Sequence, residues 1–254
     1  MLSLPLMICH PYSDFMKSLL SRKLFPVAAV LLITAVFFFL MQRDRFPNSL
    51  PPSQPSTSDF LIHLSGSDVF FSPSLRRPLA VHYIIRRLQY PIDSPPPFFS
   101  LDPRVSLPVD LKSQKVAWLP LVSPSLQPFL YPAGSPYVHS VSGCVPVSFP
   151  TTPRLWRTLA DYEAFSTKDS SLSVYCGGLY RNSPPLTASG VPIPYALFAI
   201  LFRDDGRYLA FMIPQDPPSG DLASYLVSLS DIDKRTGFLF LPSVHNRNSI
   251  PNLW

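Results

Sequence analysis

Chemistry needs groups that move protons, hold metals or attack an electrophile, and this chain offers few of them at usable spacing. Its five histidines are His10, His63, His82, His139 and His245. None stands in a His-x-x-His or His-Glu-x-x-His pattern, which would put two imidazoles on one helix face for zinc. His82 falls on a predicted strand and His139 near a loop, where a surface or hydrogen-bonded histidine is the plain reading. The three cysteines, Cys9, Cys144 and Cys176, are odd in number and lack a Cys-x-x-Cys pair, so no disulfide framework is expected. One Cys144–Cys176 bond, or two buried thiols, both fit. Asp161 and Glu163 follow the apolar face of a predicted helix and could supply a site carboxylate, but a solvated helix face is the plainer reading. Asp231 and Asp233 read as capping residues. Arg76-Arg77 and Arg86-Arg87 are basic pairs placed on adjacent strands; they could touch acidic lipid or nucleic acid, but a polar rim or protein interface is the preferred reading. There is no Gly-rich phosphate loop and no Gly-x-Ser-x-Gly elbow. The residues thus nominate no catalytic, cofactor-binding or metal-ligand set.

Charge argues in the same direction. The formal net charge is +5, which in concentrated form would suit nucleic acid. Residues 60–254, however, carry 16 basic and 13 acidic residues, a net of +3. Phosphate binding draws its free energy from clustered positive charge that releases counterions. Here the positives are mostly interleaved with aspartates, so nucleic acid is not the expected partner.

The elements that must position any site follow from hydropathy and punctuation. Residues 1–23 form an N-terminal segment. Leu24–Met41 is an uncharged run of 18 residues with Thr34 as its one polar side chain. At ~1.5 Å rise per residue such a helix covers the bilayer core, so a single transmembrane helix is expected, with Pro26 in its first turn. Lys17, Arg22 and Lys23 precede it, and the positive-inside rule orients the N-terminus to the cytoplasmic or matrix side. Residues 42–59 are a Pro/Ser-rich linker. Residues 60–254 form the globular part. With 32 prolines in the chain it should be rich in loops, residues 91–110 above all. Strands are predicted over Val69–Phe71 and Leu79–Leu88, with a turn through Pro73, and over Leu172–Cys176, Ala196–Phe202 and Tyr208–Ile213. Asp204-Asp205-Gly206 makes the last hairpin turn. A helix is predicted over Thr151–Phe165, capped by Thr151 or Thr152, with Leu155, Leu159 and Tyr162 on one face. A second, Ser230–Thr236, carries a Ser230/Asp233 capping box and stops at Gly237. The absence of any Asn-x-Ser/Thr sequon argues against a secretory lumen.

The order of these segments resembles the DNA/RNA non-specific endonucleases of the endonuclease G type. Val174-Tyr175-Cys176-Gly177-Gly178-Leu179-Tyr180 resembles the family's strand ending in a Thr-Gly-Pro-Leu turn. Val191-Pro192-Ile193-Pro194 with Leu197–Leu201 resembles its Val-Pro-Thr-His-Phe-Phe-Lys strand. Phe211–Gln215 resembles its Pro-Asn strand end. Val227–Asp233 with Thr236-Gly237-Phe238 resembles its Ile-Glu-x-x-(Ser/Thr)-Gly-Leu-x-Phe helix and exit. Residues 69–88 resemble its opening strands. The resemblance implies an α+β fold of the ββα-metal nuclease type with a central, mainly antiparallel sheet, joined here to one N-terminal transmembrane helix.

The resemblance also shows where chemistry is missing. The family uses the His of Asp-Arg-Gly-His as general base, and an Asn and a Glu on the next helix to organise one hydrated magnesium. Read without gaps from the shared Trp156, these positions fall on Trp118-Leu119-Pro120-Leu121, on Thr152 and on Ala160. No histidine occurs between His82 and His139, and no asparagine between Asn48 and Asn182, so no local shift restores the pair. The expectation is an inactive, nuclease-like protein with no cofactor. It would be an accessory subunit of a membrane complex, with other subunits and the bilayer as partners. The family's haunts and the charge bias suggest the mitochondrial inner membrane, with the C-terminal domain in the intermembrane space. The alternatives are a non-cleaving nucleic-acid binder, or an active nuclease with displaced groups.

Overall fold

The computed structural model describes residues 59–64, 66–86, 102–105, 116–126, 130, 140–147 and 151–254. The transmembrane expectation for Leu24–Met41, and the expectations resting on Cys9, His10, Arg87 and His139, lie outside these residues. Among the described residues no helix is long and apolar enough to cross a membrane.

The domain is mixed α+β. Six strands make one antiparallel sheet: β1 (Phe60–His63), β2 (Ser67–Ser72), β3 (Arg77–Ile85), β6 (Leu172–Leu179), β7 (Ala196–Arg203) and β8 (Tyr208–Pro214), side by side in that order. Two further strands, β4 (Ala117–Pro120) and β5 (Cys144–Val147), pair with each other, and α1 (Thr151–Ser166) follows β5. A short helix α2 (Leu229–Thr236) comes after β8.

Alternation along the strands sets the two faces. The registers align Val81 with Cys176, Cys176 with Ala199, and Ala199 with Phe211. These residues are fully buried and share one core with Val145 and Val147 of β5 and with Leu155, Trp156, Leu159 and Ala160 of α1. The ββα unit therefore covers this face. On the other face Tyr175 and Phe198 pack on Phe240, with ring centroids 5.6 Å apart in both pairs. Both faces of the central strands are thus apolar, which is why β7 reads as an unbroken hydrophobic run. Gly177 sits where a Cβ would lie 2.7 Å from the Phe198 ring and 2.8 Å from the Leu79 carbonyl oxygen, so the close strand packing requires a residue without one.

Local signals mostly land within a residue or three of the expected ends. The β7–β8 hairpin turns at Asp204-Asp205-Gly206, with Gly206 at φ 85°. Gly237 ends α2 in the left-handed conformation, φ 77°. The α2 cap is a correction. Ser228, not Ser230, is the N-cap, and its hydroxyl accepts the Asp231 backbone N–H and bonds the Asp231 carboxylate at 2.7 Å. Thr152 is not a cap either. It lies inside α1, and its hydroxyl donates to the Gln215 carbonyl instead.

Candidate functional site

The hairpin β4–β5 and helix α1 form a ββα unit, the arrangement in which a strand end faces a helix stripe. Thr152, Trp156 and Ala160 are four residues apart and so share one stripe of α1. Leu121, just past β4, sits against that stripe: the Trp156 indole N–H donates to the Leu121 carbonyl oxygen at 3.2 Å. The Leu121 N–H in turn donates to Gly143 O at 3.0 Å. The residues expected at the base and metal-ligand positions are therefore brought together, and all are core. Leu121 and Thr152 are fully buried and Ala160 nearly so.

A hydrated magnesium ion does not fit this donor set. Leucine and alanine offer no ligand atom, and the Thr152 hydroxyl proton is committed to Gln215. An oxygen-seeking cation that keeps several waters needs carboxylate or amide oxygens and room, and a closed apolar contact supplies neither. Among the described residues no group of three or more His, Cys, Asp or Glu side chains is placed to hold a metal.

Glu163 corrects the sequence reading. It was expected on the solvated side of α1 with Asp161, and Asp161 is indeed exposed, but Glu163 is buried. It accepts a 2.8 Å hydrogen bond from the Tyr83 hydroxyl. Burial pushes its carboxyl up to about 8, against the pull of that hydrogen bond. Its periodicity explains the error: Trp156 and Glu163 are seven apart, two turns along one face. Both Cys144 and Cys176 are free and buried. Burial pushes both thiols well up, with the nearby Glu163 adding to the effect on Cys176. Neither is a nucleophile at neutral pH.

The other polar groups serve as scaffold. Asp102 is buried and accepts from the Arg104 side chain twice at 2.8 Å, from Ser142 at 3.1 Å and from Ser140 at 3.3 Å. Burial pushes its carboxyl up, but the Arg104 and Ser142 hydrogen bonds outweigh it and hold the group below the usual carboxylate range. That clamp ties the 102–105 turn to the segment entering β5. On the far face His63, Asp68, His82 and Tyr175 form a cross-strand row over β1, β2, β3 and β6. His63 bonds Asp68 at 2.8 Å, and His82 bonds Ser173 at 2.9 Å while stacking on Tyr175. Burial lowers the His82 pKa, with Asp68 opposing. No sequence signal marks this row, because it exists only through strand register. The basic pairs also need correction. Arg76 is in the β2–β3 turn, Arg77 starts β3 and Arg86 follows the same strand's end, so the pairs do not lie on adjacent strands. Arg77, moreover, is buried rather than on a polar rim.

Residues 157–247 match the family model described as DNA/RNA non-specific endonuclease. That stretch is similar to the DNA/RNA non-specific endonucleases. A solved structure agrees in fold: a chain of the EndoG/EndoGI complex, a structure concerned with the mechanism of EndoG inhibition, superposes with a TM-score of 0.62 at 16% identity, over 74% of this chain and 87% of that one. Among curated proteins no sequence matches. The family match begins within α1, C-terminal to Thr152 and Trp156. The match thus takes in the later part of α1 and runs from β6 past α2.

Proposed function

We propose that this endonuclease-like protein does not cleave nucleic acid and works as an accessory, structural subunit of a membrane protein complex. The observation that supports this reading is the apolar filling of the ββα unit. Leu121, Thr152 and Ala160 are buried against Trp156 where a general base and two metal ligands would stand in the family the chain resembles. Leucine takes no proton from water, and without base or cation the phosphorane-like charge has nothing to stabilise it. The uncharged Leu24–Met41 run supports a single-pass anchor, and the flanking charges together with the family resemblance support the mitochondrial inner membrane, with the domain in the intermembrane space.

A plasmid-nicking assay with magnesium on the full chain in detergent tests the first half; no nicking is expected, and chelator-sensitive nicking would end the reading. Mild-detergent purification tests the second. The protein should migrate in a larger assembly with other membrane subunits, and a lone monomer would count against it.

A further inference from the structure

Away from the ββα pocket, one buried pair of polar side chains is left without partners. Arg77 is 8% exposed, and its guanidinium lies flat on the Tyr180 ring, 3.6 Å from the centroid. Tyr180 is 5% exposed. The Arg77 Nε and the Tyr180 hydroxyl are both buried and make no hydrogen bond. A buried guanidinium without a carboxylate carries a large desolvation cost, which an acceptor of opposite charge would offset. The pair feels its burial: desolvation lowers the Arg77 pKa and pushes the Tyr180 phenol up to about 12, so Tyr180 stays a neutral donor.

The surroundings add charge. Arg76 precedes Arg77 and passes Gly190, where a Cβ would lie 3.3 Å from its guanidinium. Arg181 follows Tyr180 and acts on Tyr195, whose hydroxyl accepts from Arg235 at 3.3 Å. Tyr195 is held at this end of the sheet by its N–H bond to the Leu179 carbonyl, 2.8 Å. Among the described residues Arg76, Arg77 and Arg181 form no ion pair. Gly178 leaves room for the phenol, since a Cβ there would lie 2.7 Å from the Tyr180 oxygen.

We propose that Arg77 and Tyr180, flanked by Arg76 and Arg181, form a binding site for one phosphate monoester group. A guanidinium and a neutral phenol both donate, which suits an oxyanion. Three unpaired arginines favour a dianion over a single carboxylate. The group is a free phosphate monoester in solution or the headgroup of an acidic lipid, and the two sources present the same terminal phosphate.

The test is calorimetric titration of the full chain in detergent, at constant ionic strength, with inorganic phosphate and separately with phosphatidate or phosphatidylcholine dispersed in the same detergent. One saturable site is expected. Arg77→Met should abolish it, and Arg77→Lys and Tyr180→Phe should each weaken it about tenfold, the size of one lost charge-assisted hydrogen bond. Binding of phosphatidate over phosphatidylcholine that is lost in Arg77→Met assigns the lipid source, and phosphate binding without that selectivity assigns the free one. A saturable response to neither probe, or equal affinity in the wild type and Arg77→Met, overturns the site. Should Arg77→Met fail to fold, the near-isosteric Tyr180→Phe decides, and unchanged affinity there overturns it.

Discussion

The sheet segment β6–β8 and the ββα unit are two halves of one scaffold that have met different demands. The first keeps its packing logic throughout: alternate residues fill both layers, Gly177 admits Phe198, and Gly206 and Gly237 turn the chain where φ is positive. In the second, the residues packed inward include Leu121, Thr152 and Ala160. Fold retention and site retention are separable because they rest on different residues. Backbone pairing and apolar volume hold the strands and helix, whereas any chemistry needs particular polar side chains. The Trp156–Leu121 hydrogen bond depends on a backbone carbonyl and not on the Leu121 side chain.

The contrast can be tested by perturbing each side. Trp156→Ala should have the largest effect. It empties the contact under Leu121 and leaves that carbonyl with the weak Cys176 thiol at 3.6 Å, and a loss of about 3–5 kcal/mol in urea unfolding is expected. A loss below about 1 kcal/mol would mean the pocket is open after all. Next in size is pH. Glu163 titrates near 8 in the fold, above its usual 4.5. The folded protein then holds the proton more tightly than the unfolded chain, so stability is highest below about 4.5 and falls as pH rises to about 8. The whole span is at most about 5 kcal/mol. Glu163→Gln should flatten that decline in unfolding midpoints measured from acid to alkaline pH, and an unchanged decline would place its origin elsewhere. On the sheet side, Gly177→Ala should cost about 1–3 kcal/mol by overpacking Phe198, read as a lower melting temperature. The smallest expected effect is Ser228→Ala at about 1 kcal/mol, from loss of the α2 cap. Its neighbour Ser230→Ala, if it cost more, would restore the capping box predicted from sequence.

Much of the scaffold was legible in the chain. Apolar runs and Asp-Asp-Gly gave the β7–β8 hairpin, and Thr-Gly after a charged turn gave the end of α2. The strand β1 and the hairpin β4–β5 were not predicted. Their four residues each are too short to show a period, and Pro120 and Pro146 disguise the pair. In the pocket, absence was readable, since a missing histidine and asparagine need no fold to be noticed. Presence was not. Glu163, Asp102 and Arg77 are charged residue types that usually face water, and only tertiary contacts show them inside. Seven-residue spacing from Trp156 was the one available hint for Glu163.

The two thiols, Cys144 on β5 and Cys176 on β6, have a practical consequence. Cys144 and Cys176 are shut away from solvent and held protonated, so an alkylating reagent meets neither until the strands part. Their labelling rate under native conditions would count excursions of β5 and β6 separately, making each sulfur a clock for the opening of its own strand.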